Sequence, residues 1–219
     1  MIRGETTKRT ADIVRKMILE GRFSNLAPLR QSKLAQELGV SRVPLREAFQ
    51  LLETEGLIAL RTNRGAIVTL PSPEEIGELA EMRAKIECWL LKQAINYASN
   101  ADYEQQEHCC SLMQTCEDTL WSGHNMAFHE ALLAPANKIY IIDHLKALHE
   151  RLFRSFRSPI VSVRDREKQA MEHEEIFELY RKMDTDAAAA RLEAHILVSA
   201  RQAVDHVRSL YRQAEQRSR

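Results

Sequence analysis

The sequence predicts a mainly α-helical chain, with a winged helix-turn-helix at the amino end and an all-α helical bundle after it. Three observations predict it. Apolar residues in residues 1–55 recur at helical spacing, and two short β-rich runs around a glycine follow them. Beyond residue 70 the apolar residues keep helical spacing to the end, with no convincing strand. Charge divides at the same place: residues 1–70 hold 12 Lys+Arg against 7 Asp+Glu, leaving 19 against 24 in the remainder. A basic first third joined to an acidic remainder suggests that one part meets a polyanion and the other does not.

The first helix is predicted from about Thr7 to Glu20, on a stripe of Ala11, Val14 and Ile18 with Ile13 and Met17, and Gly21 supplies its stop. A short second helix covers about Gln31 to Leu38 and ends at Gly39. Ser41 is a good N-cap for the third, where Pro44 in the first turn costs little, and the helix runs to about Glu55. "LIALR" (57–61) and "AIVTL" (66–70) then read as antiparallel strands, with Gly65 in the tip between them. "LPSPEEIGEL" marks a boundary: Ser72 and Glu75 form a capping box with Pro73 at the first helical position. The expected domains are 1–70, a linker and helix cap at 71–75, and a helical domain over 76–219. That second domain holds six helices, at about 73–97, 102–121, 125–134, 137–157, 163–183 and 186–214. Its breaks fall at Gly123, Ala134-Pro135, Ser158-Pro159 and Met183-Asp184.

Composition excludes several classes. No apolar run approaches the roughly 18 residues of a membrane span, and "MIRGETTKRT" lacks the apolar centre of a signal peptide. Cys88, Cys109, Cys110 and Cys116 form no CxxC pair and fit no zinc motif, so reduced, structural thiols of a cytoplasmic protein are expected.

Arg42 and Arg46 lie one turn apart on the third helix, away from Leu45, Phe49 and Leu52. An exposed arginine pair at the start of a second helix-turn-helix helix suits guanine edges, and Arg64 in the wing suits phosphate or a narrow minor groove. A solvated charged face is the plainer reading of two arginines alone. In the carboxyl-terminal part, Asn125 and His129 share a helix face. His129, His173 and His195 fall on three different helices, and the last two flank core stripes. Three such histidines with one further ligand would suit a first-row transition metal in a bundle core.

Resemblance sharpens both readings. "LAQELGVSRVPLREAFQLLETEGLIALRTNRGAIV" closely resembles the DNA-binding domain of the GntR family of bacterial transcription regulators, over about residues 7–70. The resemblance implies DNA contacts by Arg42 and Arg46, with Ser41 heading the helix, and a wing tip of Asn63, Arg64 and Gly65 near the minor groove. Two departures are visible: Asn25-Leu26 stands where the family has Pro-Gly, and Arg30 where a capping Ser is usual. "EMRAKIECWLLKQA", "NMAFHEALLAPANK", "MEHEEIFELYRKMD" and "AAAARLEAHI" resemble the FCD effector domain of the FadR branch, in its shorter, six-helix VanR-like form. Many such domains bind a divalent metal through an Asp, a His one turn on, and two later histidines. The corresponding positions here are Asn125, His129, His173 and His195, so an amide replaces the acid. Either Zn²⁺, Ni²⁺ or Mn²⁺ is kept by a weaker oxygen donor, or Asn125 and the histidines bond the effector directly. Arg83 is expected at the cavity, pairing with an effector carboxylate; its plainer role is a salt bridge to Glu87. Asn137 is expected as a helix cap.

The expected function is a one-component regulator that binds a pseudo-palindromic operator in double-stranded DNA as a homodimer. A small organic acid, with or without the metal, would bind in the helical bundle and alter operator affinity, with no membrane partner. A metal-dependent hydrolase on the three histidines would need a general base, and no HExxH motif occurs. An architectural DNA binder with a merely structural helical domain is the third reading.

Overall fold

The computed structural model describes residues 3–19, 22–23, 26–61, 65–115, 120–153 and 163–217. Two compact units result, one of residues 1–71 with 210–219 and one of residues 72–209.

In the first unit, α1 (Arg3–Leu19), α2 (Gln31–Leu38) and α3 (Arg42–Thr54) accompany three short strands, β1 (Pro28–Leu29), β2 (Ile58–Arg61) and β3 (Gly65–Val68). The strands form an antiparallel sheet in the order β1-β3-β2, with Leu29 opposite Ala66 and Arg61 opposite Gly65. β1 escapes sequence reading because two residues carry no period. The core joins Val14 and Met17 of α1, Leu34 of α2, Leu45, Phe49 and Leu52 of α3, and Leu29, Ile58, Ala66 and Val68 of the sheet. Ile13, expected in the α1 stripe, is instead 40% exposed, because Thr10, Ala11, Val14, Met17 and Ile18 already fill the buried face. Two polar links fasten α1 to α3 or the turn after it: the Thr7 hydroxyl donates to Glu47 Oε2 at 2.7 Å, and Arg15 grips Glu55 through two N–H groups at 2.8 and 2.7 Å.

Ser41 has extended N-cap backbone, but its hydroxyl accepts no capping bond, contrary to expectation. One of the two N–H groups that a cap can meet is missing, because Pro44, three residues on, has none. Arg30, at the head of α2, likewise makes no side-chain cap. Leu26, in the family's glycine position, keeps a left-handed backbone at φ +61°. Gly65 also has positive φ, +83°, and its close neighbour is decisive: a Cβ there would lie 2.6 Å from the carbonyl oxygen of Leu29 on β1.

The second unit contains α4 (Pro73–Ala94), α5 (Asn100–Thr115), α6 (Trp121–Leu133), a 3₁₀ turn (Ala134–Ala136), α7 (Ile139–Phe153), α8 (Val163–Arg181) and α9 (Thr185–Arg217), whose last residues belong to the first unit. Ser72 caps α4 as expected, its hydroxyl accepting from the Glu75 N–H at 3.1 Å with Pro73 in the first turn. Gly123 does not break a helix; it lies inside α6, which starts at Trp121. One glycine costs a helix only about 1 kcal/mol, which packing of the α6 core face outweighs. Asn137 closes the 3₁₀ turn in a left-handed conformation, its N–H bonded to the Ala134 carbonyl. The core gathers Leu90, Leu91 and Ala94 of α4, Phe128 and Leu132 of α6, Ile176 and Tyr180 of α8, and Leu192 and Ile196 of α9. Among the described residues, no helix is long and apolar enough to cross a membrane.

Candidate functional site

The buried face of α4 is not wholly apolar. Ile76, Ala80, Ala84, Leu90, Leu91 and Ala94 follow helical spacing, and Arg83 and Glu87 occupy the same stripe. Both are buried, and Arg83 Nε donates to Glu87 Oε1. The salt bridge that seemed the plainer role of Arg83 is therefore present, yet its Nη2 stays buried with no partner among the described residues. A buried guanidinium with one uncommitted donor remains able to bind an anion.

Glu87 is the hub of the site. Its Oε2 accepts from His129 Nδ1 on α6 at 2.8 Å, and its Oε1 from His149 Nε2 on α7 at 2.6 Å. Burial alone would raise the Glu87 carboxyl, but Arg83 foremost, with His129 and His149, holds it well below the usual range. A carboxylate accepting from three donors fixes tautomers: with its proton on Nδ1, His129 leaves the Nε2 lone pair open. Burial pushes His129 down to about 3, against the pull of Glu87, so the ring is neutral.

On the other side, His195 of α9 bonds Glu172 of α8 through Nδ1 at 2.8 Å, which likewise frees its Nε2. This hydrogen bond is the foremost cause that keeps the Glu172 carboxyl low. Burial lowers His195, while Glu172 opposes. His173, beside Glu172, is fully buried, and burial holds it well below the ordinary value. Neither His173 nitrogen has a partner among the described residues. Its ring lies 4.6 Å from that of Phe128 and 4.4 Å from that of His195.

His129, His173 and His195 therefore converge, each offering a nitrogen within 4.8 Å of the others. Ligands about 2.1 Å from a shared ion lie roughly 3–3.4 Å apart, so a small inward movement of the rings would close the set on a metal. Asn125, also buried on α6, has an Oδ1 with no partner among the described residues. A buried, unsatisfied polar atom costs about 1–3 kcal/mol, and here Asn125 Oδ1, His129 Nε2 and both nitrogens of His173 share that state. Imidazole nitrogens, two of them on rings oriented by a carboxylate at the far nitrogen (Glu87 on His129, Glu172 on His195), are a donor set that suits a divalent transition ion. The residues present thus fit a metal, with Asn125 as a neutral oxygen donor. Arg83, Asn125 and His195 also line one cavity.

Glu87, Glu172 and His149 are the residues that sequence reasoning missed as parts of this centre. His149 lies four residues after Leu145 and three before Leu152, both buried, and that stripe was its one signal. The pairing of Glu172 with His195 crosses from one helix to another, and nothing local announces it.

In the first unit, Ser41, Arg42 and Arg46 are exposed on one end of α3, as a reading head requires. Asn63 and Arg64 lie outside the described residues. Gly65 is tied to the sheet edge by the close approach of Leu29.

Comparison with known proteins agrees with this division. The family described as "FCD domain" matches residues 78–197, more than half of the chain, and "Bacterial regulatory proteins, gntR family" matches residues 6–68. The chain belongs to the GntR regulators that carry an FCD domain. Among similar GntR and FCD proteins, the transcriptional repressor GlaR of Escherichia coli K12 is 26% identical over 192 residues, which are 82% of this chain and 87% of the repressor. The gluconate operon transcriptional repressor of Bacillus licheniformis is 28% identical over 180 residues, 78% of this chain and 70% of that protein. A GntR-type regulator from Rhodococcus sp. RHA1 superposes with a TM-score of 0.74 at 27% identity, covering 91% of this chain and 97% of that one. As a GntR regulator with an FCD domain, this chain is a transcriptional regulator and not an enzyme.

Proposed function

We propose that this GntR regulator binds a pseudo-palindromic DNA operator as a homodimer and releases it when a small organic acid enters the FCD domain beside a divalent metal. The observation that carries the effector reading is the convergence of His129, His173 and His195, together with unsatisfied buried atoms on His129, His173, Asn125 and Arg83. His129, His173, His195 and Asn125 would hold Zn²⁺, Ni²⁺ or Mn²⁺. A bound ion would supply a positive centre and a coordination position for an effector oxygen. Because all four protein ligands are neutral, the ion's double charge stays undiminished, one unit more than with an aspartate at position 125. That charge, with Arg83, favours an anion.

On the DNA side, Arg42 and Arg46 enter the major groove from α3, Ser41 meets phosphate, and the wing with Asn63, Arg64 and Gly65 approaches the minor groove. The uncapped Ser41 hydroxyl supports this assignment, because the helix makes no use of it. A two-fold protein on a two-fold site doubles the sequence read. The effector acts by its differential affinity for two placements of the DNA heads. Repression is the sense we assign, and two similar regulators are repressors by name. The cytoplasm, where the operator lies, is the expected location.

Operator affinity measured with and without a panel of carboxylic acids tests the reading. At least one acid should weaken binding fivefold or more, the lower range of allosteric coupling. Equal affinity with every acid would favour a purely architectural DNA binder.

A further inference from the structure

The cavity beside the histidines has an uneven lining. Ile76, Ala80, Leu152, Ile196 and Ala200 give it apolar walls. Its polar side is short of partners: Arg83 Nη2, Trp121 Nε1 and Ser199 Oγ are each buried and unbonded among the described residues. All three are hydrogen-bond donors, and an indole N–H can do nothing else. The acceptors in the lining are few: Asn125 Oδ1 and His195 Nε2, which the metal would take as ligands, and the side-chain oxygen of Gln169, whose amide nitrogen donates to Gln202 at 3.3 Å.

Such a site suits a ligand that brings acceptors at one end and nothing polar at the other. A carboxylate has two oxygens and accepts several N–H and O–H bonds, enough to engage all three donors. A polyhydroxy acid would bring several O–H donors into apolar walls, each unpaired at a cost of about 1–3 kcal/mol. The cavity encloses about 480 Å³ between atoms with its mouth included.

We propose that the effector is a short aliphatic monocarboxylate, its carboxylate on Arg83, Trp121 and Ser199 and its tail against Ile76, Ala80, Leu152 and Ile196. Trp121 and Ser199 are then the specificity-determining donors. The inference rests on the effector reading above and adds the chemical class and the two residues.

Titration of the full-length protein with butyrate, gluconate and citrate, followed by calorimetry, tests it. Butyrate should bind at least tenfold more tightly than either polar acid. Trp121→Phe keeps the ring and removes the donor, and Ser199→Ala removes the hydroxyl. Each should weaken butyrate roughly ten- to hundredfold, the span expected for one hydrogen bond to a charged group. Trp89→Phe, at a half-exposed position on α4, should leave the affinity unchanged. Gluconate or citrate binding as tightly as butyrate would overturn the inference and leave the effector reading standing. Butyrate affinity insensitive to both Trp121→Phe and Ser199→Ala would overturn the seat. Binding of none of the three acids would overturn the monocarboxylate class, and the effector reading falls as well if operator affinity ignores the wider acid panel.

Discussion

Leu26 pays a local cost that its neighbours conceal. Its φ of +61° puts a side-chain-bearing residue in the left-handed region, which costs roughly 1–2 kcal/mol against right-handed backbone. Leu26→Gly should stabilise the protein by about 0.5–1 kcal/mol, once the greater freedom of unfolded glycine is deducted. Urea denaturation would reveal it as a higher midpoint, and a lower midpoint would show that Leu26 packing outweighs the strain. Gly65 presents the opposite case. A methyl group there meets the Leu29 carbonyl at 2.6 Å, so Gly65→Ala should destabilise the sheet, by about 1–3 kcal/mol. An unchanged melting curve would mean that β1 yields freely. Sequence reading placed Gly65 at the wing for its turn; the second constraint, from a strand of two residues, was invisible in the chain.

At the scale of elements, α4 decides the chemistry of the helical unit. Its inward stripe carries Arg83 and Glu87 among alanines and leucines, and the pair anchors two histidines from two other helices. Glu87→Gln preserves the shape but leaves Arg83 as a buried cation without its counter-charge. Loss of one partner from a buried pair costs about 3–5 kcal/mol, and chemical denaturation of that variant should show a loss of this order. A loss below about 0.5 kcal/mol would show that water reaches Arg83. His173 and His195 were legible because each borders an apolar stripe, and His129 because it shares a helix face with Asn125. The carboxylates behind them were not. A charged residue inside a helical stripe reads as surface until the partner from another helix is known, and Arg83 and Glu87 are each other's reason to be buried. Caps divided likewise: Ser72 behaves as its sequence context says, whereas Ser41 makes no cap bond, with Pro44 removing one of the two N–H groups that a cap can meet.

At the scale of the whole molecule, a basic winged-helix unit accompanies a helical unit in which we propose an anionic effector binds. The exposed arginines of α3 make one consequence specific. Arg46→Ala should cost about 1–3 kcal/mol at one base position of the operator and little elsewhere. Binding to base-substituted operators separates the cases, since a uniform loss over all sequences would make Arg46 a phosphate contact. The two-part architecture was readable from charge and periodicity together, with the six helices of the second unit largely in place. Their ends drifted by several residues, as at Gly123, because a helix tolerates an interior glycine when packing supplies the remainder.

The central claim is that His129, His173, His195 and Asn125 form one metal site whose neutral ligands leave the ion's charge for an anion. Elemental analysis of the untagged protein, beside the His173→Ala variant, tests it most directly. The account predicts one divalent transition ion per chain in the parent protein and none in the variant. Unchanged metal content in His173→Ala, or a metal-free parent that takes up no Zn²⁺, Ni²⁺ or Mn²⁺ on dialysis, would contradict it.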